Sequence, residues 1–80
     1  MSDWREEGNA LVKEYELADF ATAMGFVNQV AEMAEGANHH PDILIHGRNR
    51  VQLTLSTHPK GEVTQADHDL AAAIDGLGVG

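Results

Sequence analysis

The chain has 80 residues, a net charge of −8 and no cysteine. This length predicts one domain spanning residues 1–80, and the lack of cysteine excludes disulfides and thiolate metal sites. An acidic surface repels phosphate groups and anionic lipid, so we expect no direct nucleic-acid partner and no membrane partner. Since the N-terminus also lacks the pattern of a secretory signal, we expect a cytoplasmic protein.

Two strands are predicted at the start of the chain. Residues 4–7 form a candidate strand, and Gly8-Asn9 turns it into a second strand over 10–17. In that second strand apolar and polar residues alternate, as is typical of a half-buried strand, with Lys13 as the exception on the apolar face.

A helix of about four to five turns should follow, with Asp19 as its N-cap. Its apolar residues recur at three- and four-residue steps, and we interpret this stripe as core. The stripe contains Phe20, Ala23, Met24, Val27, Val30, Ala31 and Ala34. Gly36, Asn38 and Pro41 are signals that end a helix.

The second half repeats this order. Strands are predicted over 43–46 and 51–56, joined by a turn at 47–50. Thr64 should cap a last helix, with Asp67 placed as in a capping box. The apolar stripe of that helix is Leu70, Ala73, Ile74 and Leu77. The order β-β-α-β-β-α predicts an α+β fold, in which helices cover one face of a four-stranded antiparallel sheet.

Three of the five histidines fall in two short segments, which makes these segments the candidate site. One segment runs over 35–42 and contains His39 and His40, and the other, 56–58, ends at His58. Imidazole titrates near neutral pH, so such a cluster can give and take protons in a cell. His46 and His68 stand alone in the sequence, and we interpret them as ordinary surface or core residues.

The hairpin should bring the three histidines together. If Gly47 pairs with Arg50, then His40 faces Thr57 and His39 faces His58 across the two strands. Directly opposed residues have Cβ atoms about 4.5–5.5 Å apart. The expected result is a proton-transfer pocket in which one histidine is a base and another an acid.

Glu35 lies four residues before His39, so the two side chains share a face if the helix persists that far. Its carboxylate could then orient an imidazole. A zinc site is the rival interpretation, because three imidazoles and a glutamate could complete a tetrahedral set. Neighbouring histidines rarely bind the same metal, and no HExxH pair is present, so we expect no metal.

These residues resemble the signature of the pterin-4a-carbinolamine dehydratase family. His39-His40-Pro41-Asp42 follows Glu35, Ser56-Thr57-His58 closes a strand, and Asp67 comes nine residues later. Trp4 and the segments 13–20 and 25–31 also resemble the family, so nearly the whole chain is covered.

The resemblance implies dehydration of a 4a-hydroxytetrahydropterin to the quinonoid dihydropterin, with a reduced pterin as the small-molecule substrate and no cofactor. It implies His40 as base and His39 and His58 as acids. It also implies a substrate-binding set of Glu35, Pro41, Ser56 and Thr57, in which Glu35 supports the histidines. A homodimer or homotetramer is expected by resemblance, and the small core makes it physically sensible.

The sequence departs from the family at two places. Arg48 stands ten residues before His58, where the family usually has an aromatic residue. That aromatic residue either walls the pterin or only packs the hairpin. Family members also commonly carry a helix before the tryptophan, and with Trp4 so close to Met1 we expect that helix to be absent. The alternative function is a protein-binding or dimerisation module, since some family members are cofactors of homeodomain transcription factors.

Overall fold

The computed structural model describes residues 4–57 and 62–78, and it has the predicted order of elements. The elements are β1 Arg5–Glu7, β2 Ala10–Glu16, α1 Phe20–Ala37, β3 Asp42–His46, β4 Arg50–Leu55 and α2 Gln65–Asp75. All neighbouring strands are antiparallel, and they lie in the order β1-β2-β4-β3. The α+β prediction is therefore confirmed. Within the described residues, no helix is long and apolar enough to cross a membrane.

The core lies between one face of the sheet and the two helices. Its buried members are Leu11, Tyr15, Ala23, Phe26, Val30, Val51, Leu53, Leu55, Leu70, Ala71 and Ile74. The two predicted helical stripes were partly wrong. Phe20 is 52% exposed and Met24 36% exposed, whereas Phe26 is buried. Ala73 is exposed on α2, and Asp67 and Ala71 take the inward positions. A broad apolar face predicts a helix, but it does not fix which of its edges meets the sheet.

The exceptional Lys13 is buried on the core face of β2 and is neutralised by the end of α2. Its Nζ donates a hydrogen bond of 3.1 Å to Asp75 Oδ1, which also accepts one of 3.1 Å from Trp4 Nε1. Lys13 Nζ also lies 4.8 Å from the ring centroid of Tyr15. A buried ammonium group requires such partners, so this contact joins the first two strands to the last helix.

The hairpin register differs by one residue from the predicted one. Asp42 pairs with Thr54, and His46 pairs with Arg50, because the loop has three residues rather than two. Gly47 (φ 58°) and Arg48 (φ 61°) both adopt left-handed conformations in this loop. The observed register puts the isoleucines of β3 opposite the apolar residues of β4, whereas the predicted register would have put them opposite polar ones.

The loop at the tip of the hairpin is fastened to the end of β2. Asn49 accepts a hydrogen bond of 2.8 Å from Leu17 N–H through its backbone oxygen, and its side-chain amide donates one of 3.0 Å to Leu17 O. Arg48 therefore lies at the end of the hairpin opposite to His40. The five residues of β3 separate the two positions by about 16 Å within the chain. Position 48 is exposed and, within the chain, distant from His40.

Two glycine substitutions should change stability in opposite directions. Gly25→Ala lies within α1, where an added Cβ meets nothing within 4 Å, so it should stabilise the fold by about 0.5–1 kcal/mol. Gly47→Ala forces alanine into a left-handed conformation (φ 58°) and should destabilise the fold by about 1–2 kcal/mol. Urea unfolding of both variants beside the wild type checks the signs, and equal shifts would contradict the assignment of the loop.

Candidate functional site

The end of α1 fixes the backbone of His39. Asn38 has the left-handed conformation (φ 53°, ψ 41°), and its N–H donates to Glu35 O at 3.2 Å. The N–H of His39 donates to Ala34 O at 3.1 Å. These two bonds form a Schellman motif, which satisfies the last carbonyl groups of a helix. The helix thus ends before His39, and the chain turns so that this side chain reaches towards α2.

The partner of His39 is Asp67, in the first turn of α2. His39 Nε2 lies 2.5 Å from Asp67 Oδ1. The side chain of Asp67 is fully buried, and that of His39 is 16% exposed. Asp67 also caps its own helix, because its Oδ2 accepts a hydrogen bond of 2.9 Å from Thr64 N–H. The predicted capping box of Thr64 and Asp67 is confirmed, and its carboxylate also serves the candidate site.

Thr57 joins the end of β4 to the same carboxylate. Its hydroxyl donates to Asp67 Oδ2 at 2.9 Å, and it also lies 2.6 Å from the hydroxyl of Thr64. The N–H of Thr57 donates to Glu62 O at 2.9 Å. We name His39, Thr57, Thr64 and Asp67 the buried network. It ties together the end of α1, the end of β4 and the start of α2.

The pKa of Asp67 is lowered from its ordinary value. Burial of the carboxylate acts to raise this pKa, and hydrogen bonds from His39, from the backbone of Thr64 and from the Thr57 hydroxyl outweigh that effect. Asp67 is therefore ionised at neutral pH. A buried carboxylate with three hydrogen-bonding partners is a fixed negative charge directly beside an imidazole.

His40 has a different partner and a different environment. Its Nε2 contacts Glu35 Oε2, and the two side chains are 57% and 75% exposed. The expected pairing of Glu35 with His39 was wrong, because α1 ends at Ala37 and the left-handed Asn38 breaks the helical spacing. Each of the two consecutive histidines thus contacts one carboxylate. The carboxylate at His39 is buried, and the one at His40 is exposed to solvent.

The remaining predicted site residues divide into two groups. Pro41 and Ser56 are half-buried and lie next to His40 and Thr57, respectively. His58 lies outside the described residues, so its convergence with the other histidines stays a prediction. Among residues 4–57 and 62–78, no group of three or more metal-binding side chains comes together.

His39 also lines an apolar cleft between the two helices. The cleft has a volume of about 290 Å³. Its other lining residues are Met33, Ala37, Ala66, Asp69, Leu70 and Ala73. His39 therefore contacts Asp67 on one side and lines an open, mostly apolar cleft on the other.

Sequence reasoning gave Asp67 as a helix cap and as part of the family signature, but not as the partner of His39. A usable signal was present, because Asp67, Leu70, Ala71 and Ile74 follow helical spacing and form the buried face of α2. A carboxylate on such a face requires donors, and polar residues near the ends of other elements are candidates for them.

The buried network predicts a loss of stability in acid. The pKa of Asp67 is lower in the folded state than in the unfolded state. The ionised carboxylate therefore contributes its full stabilisation above the unfolded-state pKa of about 3.9, and this stabilisation disappears as the pH falls through the folded-state pKa. At about pH 5 the free energy of unfolding of the wild type should exceed that of Asp67→Asn by about 1.5–3 kcal/mol, the usual contribution of hydrogen bonds to a charged group. This difference should shrink as the pH falls to about 2.

Urea unfolding across this pH range measures the effect. Asp69→Asn, an exposed change on the same helix, is the matched control and should change stability little at any pH. A difference between wild type and Asp67→Asn that stays constant down to the lowest pH would contradict an ionised Asp67 in the fold.

Comparisons with known proteins show the family and the fold of this chain. Residues 1–77 match the family model described as pterin 4 alpha carbinolamine dehydratase. A relative from Chloroflexus aurantiacus, provisionally named a pterin-4-alpha-carbinolamine dehydratase, is 52% identical over 73 residues, covering 91% of this chain and 77% of the relative. A relative from Thermomicrobium roseum with the same provisional name is 53% identical over 71 residues, covering 89% and 75%.

Two solved structures share the fold. The crystal structure of a transcriptional coactivator/pterin dehydratase from Brucella melitensis has a TM-score of 0.83 and 36% identity, and the match covers 92% of this chain and 80% of that one. A pterin dehydratase-like protein, described as a RuBisCO assembly factor in the alpha-carboxysome, has a TM-score of 0.78 and 29% identity, with 96% and 89% covered. This chain belongs to the pterin-4a-carbinolamine dehydratase family.

Proposed function

We propose that this protein dehydrates a 4a-hydroxytetrahydropterin to the quinonoid dihydropterin. The observation that carries the proposal is the pair of imidazole–carboxylate contacts at consecutive residues, in a chain of this family. His39 contacts the buried Asp67, and His40 contacts the exposed Glu35. Carboxylates beside imidazoles fix the orientation of the rings and stabilise the protonated forms, as acid–base catalysis requires.

The proposed reaction needs one proton donor and one proton acceptor. The hydroxyl group leaves C4a as water after it receives a proton, and a base removes the proton from N5 as the double bond between C4a and N5 forms. One water is lost, one proton enters and one leaves, and no electrons are gained or lost. Positioned imidazoles can supply both proton transfers near neutral pH.

We assign His40 as the base at N5, and His39 and His58 as acids that serve the leaving hydroxyl. Glu35 supports His40 through their direct contact, and the solvent-exposed position of both side chains lets the abstracted proton pass to water. His58 follows Thr57, whose hydroxyl and N–H are both hydrogen-bonded. Pro41, Ser56 and Thr57 flank the three histidines in the chain and complete the proposed binding surface.

Alanine substitution of each proposed catalytic histidine should lower turnover. His39→Ala, His40→Ala and His58→Ala each remove one proton-transfer group, which should reduce kcat by about 10²–10³-fold. The assay follows the ultraviolet absorbance of chemically generated 4a-carbinolamine as it dehydrates, with the uncatalysed rate subtracted. His68→Ala is the matched control, because His68 is an exposed histidine on α2, and it should retain activity. Three unaffected variants at the proposed positions would refute the assignment.

We also propose that the protein is a homodimer or homotetramer. Among the residues that the structure describes, large apolar side chains are exposed on α1, where Phe20 is 52% and Met24 36% exposed, and on the edge strand β3, where Ile43 is 37% and Leu44 53% exposed. Burying such side chains against a second copy would add apolar contact to a small core. A protein partner on these same residues is the second candidate function, which the similarity to the RuBisCO assembly factor favours.

Charged substitutions should separate the assembly surfaces from the catalytic residues. Leu44→Lys should weaken pairing through the edge of β3, and Phe20→Lys should weaken packing through α1, because each places a charge in an apolar contact. Light scattering after size exclusion measures the mass, with the exposed Glu14→Gln as the control. A wild type that is monomeric at all concentrations would contradict the oligomer. A folded wild type with turnover at the uncatalysed rate would favour the protein-binding module over the enzyme.

A further inference from the structure

We propose that Asp67 is a positioning residue that holds His39 in its Nε2–H form, so that His39 exchanges its catalytic proton at Nδ1. The catalytic part of this inference rests on the proposed dehydratase function. The protonation pattern itself is a property of the folded protein and can be measured without substrate. Asp67 acts through His39 and requires no contact with the pterin.

The donors around Asp67 can be assigned one by one. The N–H of Thr64 can only donate, and it contacts Oδ2 at 2.9 Å. The hydroxyl of Thr57 donates its single proton to the same oxygen at 2.9 Å. In the contact of 2.6 Å between the two threonine hydroxyls, the proton must therefore come from Thr64. The carboxylate of Asp67 is thus the acceptor in both of its hydrogen bonds with the threonines.

His39 completes this pattern at the other carboxylate oxygen. Its Nε2 lies 2.5 Å from Oδ1, and a hydrogen bond at that distance requires a proton on one of the two atoms. Donors at Oδ2 stabilise the ionised carboxylate, and the lowered pKa of Asp67 agrees with them. The proton therefore belongs to Nε2 of His39. In the neutral ring Nδ1 then carries the lone pair, and in the imidazolium ion it carries the second proton.

This arrangement suits an acid that serves the leaving hydroxyl. When the imidazolium ion gives its Nδ1 proton to the hydroxyl, the bond from oxygen to C4a breaks and water leaves. The ring that remains is the Nε2–H tautomer, which already matches the carboxylate, so neither a ring flip nor a second proton transfer is needed. A carboxylate that fixes the tautomer of a catalytic histidine has the same logic in the Ser-His-Asp triad.

Asp67→Asn reverses this preference while keeping the shape of the side chain. The amide oxygen must take the position that accepts from Thr64 N–H and from Thr57, so the amide NH₂ faces His39 Nε2. His39 Nε2 must then accept a hydrogen bond from the amide. The neutral ring is therefore driven to the Nδ1–H tautomer. The matched control is Asp19→Asn. Asp19 caps α1 by accepting a hydrogen bond of 2.8 Å from Thr22 N–H, and it lies at the opposite end of that helix from His39.

The first measurement is the tautomer. Long-range proton–nitrogen correlation spectra of ¹⁵N-labelled protein distinguish Nε2–H from Nδ1–H rings, and they are recorded at alkaline pH, where the His39 signals no longer change with pH. Wild type and Asp19→Asn should show His39 as Nε2–H, and Asp67→Asn should show Nδ1–H. A wild-type spectrum with Nδ1–H overturns the proposal, and that spectrum decides the tautomer even if Asp67→Asn fails to fold.

The second measurement is turnover on 4a-carbinolamine. Asp67→Asn should lower kcat by about 10–100-fold with little change in KM, because the ring remains but presents the wrong tautomer. Asp19→Asn should keep the wild-type kcat. A switched tautomer with unchanged kcat would overturn the positioning role. A wild type that matches the uncatalysed rate would instead refute the dehydratase function, and the tautomer result would stand apart from it.

Discussion

The buried carboxylate of Asp67 is the interaction on which the arrangement of this site depends. This carboxylate is fully buried. It accepts hydrogen bonds from the N–H of Thr64 at the start of α2 and from the hydroxyl of Thr57 after β4, and it contacts His39, which follows the end of α1. Burying a charge away from water costs free energy unless several hydrogen-bond donors surround it. The loss of any one of these donors would therefore destabilise the buried carboxylate. A single group thereby links the end of α1, the end of β4 and the start of α2. Helix capping and site geometry become the same constraint.

The two adjacent histidines acquire different chemistry from this constraint. His39 is mostly buried and has a fixed partner, whereas His40 is exposed and pairs with an exposed glutamate. A contact between exposed side chains is screened by water and salt and contributes little to stability. The buried contact orders the ring, and the exposed contact leaves the ring in exchange with solvent. Adjacent residues of one type can thus hold separate roles, because the chain turns between a buried network and open solvent.

Several features of this fold could be predicted from the sequence alone. The caps at Asp19 and Thr64, the order of the elements and the end of α1 near Asn38 were all predictable from single residues with strong backbone preferences. The register of the hairpin between β3 and β4 was harder to predict, because the sequence Gly-Arg-Asn-Arg was interpreted as a two-residue loop. Pairing Ile43 with Leu53 would have corrected it, since only that parity places both side chains on the core face. The loop then has three residues and must hold Arg48 in a left-handed conformation.

The sequence offers candidate residues for the site but not the contact between His39 and Asp67, and the reason lies in distance along the chain. His39 and Asp67 are 28 residues apart, and no local spacing rule connects them. The local rule that was available, between Glu35 and His39, requires a continuous helix, which Asn38 interrupts. The choice of partner is therefore made by tertiary packing. Once the inward face of α2 meets the sheet, the carboxylate of Asp67 lies within the core and must find donors there. The polar groups that the ends of α1 and β4 bring to it are an imidazole and a hydroxyl. The need to satisfy a buried charge thus selects which histidine receives a fixed orientation.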